Sequence, residues 1–256
     1  MKRRLLDNLR RVQDRIASAA QRSGRAPDQV TLVAVTKTVE LDTIRQLLDL
    51  GVRDIGESRV QELAKRAGMI HEYLQRRVAW ATQPPAERRR TGPQWHMVGH
   101  LQRNKVRAVL PWTDVIHSLD SLRLAETISA QAQKLDRSAN VLMQINATGD
   151  KTQFGVAVGA ATHLAEQIVT LPALKLLGLM VMAPLLEDPE KTRPVFQRTR
   201  EVFEEMRGER IVGPDFAHLS MGMSNDYVIA IEEGATMVRI GTALFEGLPA
   251  QVSIQE

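Results

Sequence analysis

Val30-Thr31-Leu32-Val33-Ala34-Val35, followed at once by Thr36-Lys37-Thr38, is a β-branched, apolar run without alternation that ends in a cation. A strand exposed on one face alternates apolar and polar residues, so an unbroken run belongs to a strand covered on both faces, the habit of parallel sheets. Upstream, Leu5, Leu6, Leu9, Val12, Ile16 and Ala19 recur at helical spacing until Ser23-Gly24, with Pro27 beyond. That pattern predicts an amphipathic helix over residues 1–24. Downstream, a helical stretch from Leu41 to Leu50 stops at Gly51, and a second apolar run spans Val52 to Gly56.

The same alternation continues along the chain. Further strands are predicted at Gln94 to Gly99, Asp114 to Ser118, Val141 to Asn146, Leu174 to Met182, Phe216 to Ser220 and Thr236 to Ile240. Helices are predicted at Glu57 to Val78, Gln102 to Leu110, Ser121 to Lys134, Ala160 to Leu171, Pro189 to Arg207 and Asn225 to Glu233. Eight strands alternating with helices predict parallel strands joined by right-handed crossovers and closed into a single α/β domain, a (β/α)8 TIM barrel over residues 30–245. The competing architecture is an open doubly wound sheet, but no glycine-rich dinucleotide fingerprint follows the first strand. The whole chain, 1–256, is read as one domain, and the proline-rich stretch Thr82 to Pro93 as a surface loop.

Composition narrows the class. The chain has 256 residues, 43% apolar and 25% charged, a globular balance that excludes collagen-like and disordered proteins. A net charge of +4 is too small to indicate a nucleic-acid partner. With no cysteine, a disulfide framework, a thiolate nucleophile and an iron–sulfur cluster are excluded, which fits a cytoplasmic location. Asp7, Arg10, Arg11, Asp14 and Arg15 interrupt any signal-peptide core. The longest apolar stretch, Leu176 to Leu186, falls short of the roughly 20 residues a membrane span needs, so no membrane partner is expected.

In a parallel barrel, chemistry sits where the strands end at their carboxyl termini. Lys37 follows directly on the first strand, where partial desolvation of its ammonium is expected. Desolvation favours the free amine, which can form a Schiff base with a carbonyl. The plainer alternative is a strand-end lysine that snorkels into solvent. Arg239 puts a guanidinium inside Met237-Val238-Arg239-Ile240-Gly241 and so requires an acidic, electron-rich or anionic partner. Gly241 and Thr242 then leave the last strand at the usual phosphate position of this fold. Ser224, before a helical stretch, is either an N-cap or a second phosphate ligand. A nucleophilic lysine, a buried arginine and an adjoining phosphate cup together describe a site for pyridoxal 5′-phosphate, PLP.

The remaining candidates have plain readings. His71, His96, His100, His117, His163 and His218 show no metal-ligand spacing, so no metal is expected. His96 and His218 fall inside strand runs and read as hydrogen-bonded core histidines. Arg88-Arg89-Arg90 reads as a solvated loop, and Met180, Met182, Met221 and Met223 as packing at the barrel mouth.

Five stretches carry a resemblance. They are Leu32 to Lys37 (LVAVTK), Gly56 to Glu62 (GESRVQE), Trp95 to Lys105 (WHMVGHLQRNK), His218 to Asp226 (HLSMGMSND) and Val238 to Phe245 (VRIGTALF). Together they resemble the pyridoxal phosphate homeostasis protein family, in order from about residue 5 to 247. The resemblance implies a fold-type III PLP-binding barrel of the alanine-racemase N-terminal type, without a C-terminal β-domain. It also implies PLP held as a Schiff base on Lys37, Arg239 facing the pyridine nitrogen, and Ser224, Gly241 and Thr242 holding the phosphate. A cation opposite the ring nitrogen keeps that nitrogen unprotonated, which makes the ring a poorer electron sink.

This chain departs from the family at two positions. Ser58 stands where the family commonly has asparagine, so a cofactor contact through that side chain is expected to be indirect or lost. Glu246 stands where the family usually has glycine and is expected to reshape the exit from the phosphate loop.

The implied function is PLP homeostasis: a carrier with no catalytic residue that takes up, protects and releases the cofactor. Amino-acid and keto-acid metabolism would be affected indirectly. PLP-dependent apo-enzymes are the candidate recipients, and a monomer is expected. The competing reading is a racemase-like enzyme. Racemisation needs acid–base groups on both faces of the cofactor, and related racemases take the opposing tyrosine from a separate β-domain. Only 16 residues follow Ile240, so that domain is not expected, and Tyr73 and Tyr227 lie in helix-like segments. A third reading is a barrel that binds another phosphorylated metabolite with no covalent link.

Overall fold

The unbroken run that opens the pattern forms a strand covered on both faces. In the computed structural model, which describes residues 2–77, 80, 82–150 and 152–249, α1 (Lys2–Arg22) precedes β1 (Thr31–Val35). There follow α2 (Leu41–Asp49), β2 (Asp54–Glu57), α3 (Val60–Gln75), α4 (Pro85–Thr91), β3 (Gln94–Met97), α5 (Val106–Val109) and β4 (Val115–Leu119). Next come α6 (Leu122–Lys134), β5 (Ala139–Asn146), β6 (Val156–Ala157), α7 (Val158–Ile168) and β7 (Leu174–Val181). The last elements are α8 (Arg193–Gly208), β8 (His218–Ser220), α9 (Tyr227–Glu232), β9 (Met237–Ile240) and α10 (Thr242–Phe245).

Every pairing is parallel, and the sheet closes on itself. β1 pairs with β2 through Ala34↔Ile55 and Val35↔Gly56, and with β9 through Val33↔Arg239 and Ala34↔Ile240. The far side closes through Val115↔Asn140 and Ile116↔Val141 between β4 and β5. Eight strands, β1 to β5 and β7 to β9, therefore form a (β/α)8 barrel, and β6 adds two residues to the end of β5. Closure removes the open edges that a doubly wound sheet would have left.

Alternation along each strand divides the apolar residues into two sets. Val33, Val115, Leu142, Met180 and Met237 point inward and fill the barrel, with Val98 and Leu177 packed on them. Ala34, Ile55, Met97, Ile116, Val141, Leu179, Leu219 and Val238 point outward into the shell beneath the helices. Burying one such side chain contributes about 1.5–3 kcal/mol relative to leaving it exposed. α1 supplies Leu5, Leu9, Val12, Ile16, Ala19 and Ala20 to that shell, packing on α9 and α10. Among the described residues no helix is long and apolar enough to cross a membrane.

All eight predicted strands form, and the differences lie in the connections. The expected loop Thr82 to Pro93 contains α4: Pro85 at its first position fixes φ for a helix and Glu87 lies in the first turn, so the prolines start the element. Arg88 sits over the Trp80 ring at 5.6 Å rather than in free solvent, while the side chains of Arg89 and Arg90 lie outside the described residues. Glu57 closes β2 instead of opening a helix, and Val78, the predicted end of that helix, is also outside the described residues. The helix predicted from Gln102 splits into a 3-10 turn, Arg103–Lys105, and the short α5. Met180 and Met221 are buried at the mouth as expected, whereas Met182 is 41% exposed on the rim.

Candidate cofactor site

β1 ends at Val35, and the chain turns at once to present Lys37. A buried polar pedestal pins this turn. The Thr36 hydroxyl donates to Glu57 Oε1 at 2.6 Å, and Arg66 Nη1 donates to the same oxygen at 2.7 Å and to the Thr36 carbonyl at 2.5 Å. Burial pushes the Glu57 carboxyl above its ordinary value, with the Arg66 charge pulling the other way. Lys37 itself is exposed. The expected desolvation is therefore absent, because the turn carries the side chain past the apolar strand into the open mouth. Access rather than burial is what this position offers the amine.

Arg239 lies at the opposite extreme, 5% exposed on β9, next to β1. Its Nη1 donates to Ser220 Oγ at 2.6 Å and its Nη2 to the Val181 carbonyl at 2.9 Å, the last residues of β8 and β7. Among the described residues no carboxylate comes within ion-pair distance of it. Burial pushes the guanidinium down to about 10, partly offset by Asp226, so it still carries its charge at neutral pH. Of the acidic, electron-rich or anionic partners expected from sequence, the protein itself supplies two neutral oxygens. A buried cation held this way suits an electron-rich ring nitrogen or an anion at the strand ends.

The phosphate cup predicted from sequence is organised around Ser224. The backbone N–H groups of Gly241 and Ala243 donate to Ser224 Oγ at 3.3 and 3.2 Å. Ser224 is therefore no cap of α9: its hydroxyl bridges to the turn into α10, which Thr242 opens. Gly222, at φ +90°, makes the turn that places Ser224, and a Cβ there would lie 2.6 Å from Ala230 Cβ and 2.8 Å from Tyr227 Cα. Gly241 packs where a Cβ would come 3.3 Å from the Val35 carbonyl, so the cup adjoins the Lys37 turn. Clustered N–H donors and hydroxyls beside a buried cation fit the phosphate and ring of PLP.

The other predicted residues flank this arrangement. Ser58 is half-buried at the end of β2, and its backbone touches Gly99 so closely that no side chain fits at 99. The mouth thus orders Ser58, Lys37, Gly241-Thr242 and Ser224 on the consecutive strands β2, β1, β9 and β8. Glu246 turns away from the site and pairs with Arg11 of α1 at 2.7 Å, both well exposed, so its carboxylate does not enter the phosphate loop. His96 is hydrogen-bonded in the interior as expected, and His218 is half-buried. Sequence reasoning assigned no role to Ser220, Thr36, Glu57 or Arg66, although Ser220 and Glu57 sit at strand ends. The one available signal was the need of Arg239 for an acidic, electron-rich or anionic partner.

The barrel, its accessible lysine after the first strand and its buried arginine in the last define a class. The chain belongs to the alanine racemase N-terminal domain family, whose sequence profile matches residues 7–249. The Aquifex aeolicus protein named pyridoxal phosphate homeostasis protein is 38% identical over 239 residues, 93% of this chain and 96% of that one. Within the class, the chain is a member of the pyridoxal phosphate homeostasis protein family. The crystal structure of an unknown protein from Bifidobacterium adolescentis is similar with a TM-score of 0.84 and 36% identity, covering 95% of each chain. The structure of PipY from Synechococcus elongatus, with PLP bound, matches with a TM-score of 0.74 and 32% identity, over 91% of this chain and 99% of that one.

Proposed function

We propose that this protein binds PLP at the carboxyl end of its barrel and serves PLP homeostasis in the cytoplasm as a monomeric carrier, without a catalytic residue of its own. The observation that carries the reading is Arg239: a fully desolvated guanidinium, with no carboxylate partner among the described residues, beside the Lys37 turn and the Ser224 cup. When bound, PLP supplies an aldehyde and an electron-withdrawing ring. Lys37, exposed at the mouth, would supply the amine to which that aldehyde joins with loss of one water. Arg239 would face the ring nitrogen and disfavour its protonation, because two adjacent cations repel. Ser224 offers its hydroxyl, and Gly241 and Thr242 their backbone, to the phosphate. Ser58, short and half-buried, contributes at most an indirect contact.

The carrier reading over the racemase-like one rests on the second face. Proton transfer on both sides needs a second acid–base group opposite the lysine. Tyr227 is 1% exposed beneath Arg15 of α1, and Tyr73 lies between Arg45 and Arg77 on the outer surface. Neither reaches the mouth. Borohydride reduction of the PLP-loaded protein, followed by mass mapping, should place the cofactor on Lys37, and Lys37→Ala should abolish the visible absorption band. A band that persists in Lys37→Ala overturns the assignment. Incubation of the loaded protein with D- and L-alanine tests the carrier reading, and sustained interconversion above buffer would reject it. Transfer of cofactor to an added PLP-dependent apo-enzyme is the positive result.

A further inference from the structure

Five polar side chains on five strands meet inside the barrel, and the cofactor site as described uses one of them. Arg239 Nη1 donates to Ser220 Oγ at 2.6 Å, and Ser220 Oγ lies 2.8 Å from His117 Nδ1. His117 Nε2 lies 2.9 Å from His96 Nδ1, and His96 Nε2 lies 3.0 Å from Asp54 Oδ1. Ser220 and His117 are 0% exposed and His96 is 2% exposed. Asp54 opens β2 at the amino end of the barrel, on the wall of a cleft of about 560 Å³ that also includes Thr31 and Gly51. The chain of contacts therefore crosses the barrel from that cleft to the level at which β7, β8 and β9 end.

Its donor order follows from the two ends. A guanidinium can only donate, and an ionised carboxylate can only accept. Arg239 donates to Ser220, whose proton is then directed to His117 Nδ1. That leaves the His117 proton on Nε2, pointing to His96 Nδ1, and the His96 proton on Nε2, pointing to Asp54. The reverse order needs an additional proton on His96 and makes Ser220 accept twice. Full burial pushes His117 well below the ordinary imidazole value, with the His96, Arg239 and His218 charges acting in the same direction, which agrees with a neutral ring. The surroundings are the inward apolar set of Val33, Val115, Leu142, Met180 and Met237. Polar groups persist in such an interior when every link is satisfied, and each bond then strengthens the next.

We propose that Asp54, His96, His117 and Ser220 are positioning residues for Arg239, a one-directional relay that ties the ring-facing guanidinium to a carboxylate at the far end of the barrel. The ring-facing role rests on the PLP reading, whereas the relay itself rests on the geometry alone. The Asp54 charge makes His96 a better acceptor, and each link passes that effect on to Ser220 Oγ. Ser220 and the Val181 carbonyl together fix the plane in which the remaining N–H groups of Arg239 are presented.

Two measurements test this. Long-range 15N correlation NMR on the protein without added PLP should find His96 and His117 both protonated on Nε2 at pH 7. Protonation of His117 on Nδ1 overturns the relay. In PLP titrations, Ser220→Ala should bind about tenfold more weakly, the size of one charge-assisted hydrogen bond, and shift the visible band. Borohydride should still label Lys37 in that variant. Asp54→Asn keeps an acceptor for His96 but removes the charge, and should shift the band in the same direction by less. Val115→Ala, an inward neighbour outside the relay, should lower stability without moving the band. Bands and affinities of Ser220→Ala and Asp54→Asn equal to those of the unaltered protein overturn the proposal. If the unaltered protein takes up no PLP, the cofactor reading falls, and the tautomer measurement alone decides the relay.

Discussion

Replacing Glu57 by alanine tests the pedestal beneath Lys37. The side chain is 0% exposed and shares one oxygen between the Thr36 hydroxyl and Arg66. Removing one partner of a buried ion pair costs about 3–5 kcal/mol, because the surviving charge stays desolvated. Arg66 keeps Glu62 Oε2 at 3.3 Å and the Thr36 carbonyl at 2.5 Å, which puts the expected cost at the lower end, about 3 kcal/mol. For a chain of this size that corresponds to a fall in Tm of about 6–12 °C. Urea unfolding at pH 7 with thermal melts would measure it. The double variant Glu57→Leu, Arg66→Met, which removes both charges, should lie closer to the unaltered protein than Glu57→Ala does. A Glu57→Ala cost below about 1 kcal/mol, or a double variant no better than the single, would refute the argument that Arg66 depends on this carboxylate.

Other expectations follow from the same geometry. His117 is held well below its unfolded value of 6.5, so below that pH the unfolded chain binds the proton that the folded protein refuses. Its contribution is present above about 6.5 and is lost as pH falls, by about 1.4 kcal/mol per pH unit; His117→Gln should flatten the slope of urea-unfolding free energy between pH 6.5 and 5.5. Gly222→Ala forces a Cβ against Ala230 and Tyr227 at positive φ, and should cost about 1–3 kcal/mol and weaken PLP binding by displacing Ser224. A stable variant with unchanged PLP affinity would contradict that role. Asn8→Ala removes amide bonds of 3.0 and 3.1 Å to the Leu244 and Glu246 carbonyls, and should cost about 1–3 kcal/mol. Glu246→Ala removes only an exposed ion pair and should cost less than about 0.5 kcal/mol in the same unfolding assay.

Sequence reasoning recovered the barrel because burial on both faces leaves strands such as Leu32 to Val35 with no polar interruption. It singled out Lys37, Arg239 and Ser224 because each breaks a local pattern: a cation ending an apolar strand, a cation inside one, a hydroxyl before a helix. What it missed depends on register and closure. Ser220 lies 19 residues from Arg239 and on the adjacent strand, and no periodicity connects His117 to a residue 103 positions away. Glu57 read as a helix start because its place at the end of β2, facing Arg66 of α3, is set only by the pairing of β2 with β3. α4 was hidden because Pro84-Pro85 reads as an interruption, although proline at the first helical position favours a helix. The exposure of Lys37 depends on where the turn after Thr36 points, which composition does not encode.

The pairing of β1 with β9 also governs the order of assembly. Val33 meets Arg239 across that seam, and Asn8 of α1 bonds carbonyls 236 and 238 residues further along. These are the contacts with the greatest loop-closure entropy, and they form after the intervening units have been made. During synthesis the apolar stripe of α1 and one edge of β1 wait for partners that have not yet left the ribosome. Lys37 and Arg239, the lysine and arginine of the proposed site, stand on opposite sides of this seam, so on that proposal an incomplete barrel has no site. Cofactor uptake is then a readout of completed folding, and ligand bound across the seam stabilises its last-formed joint by mass action.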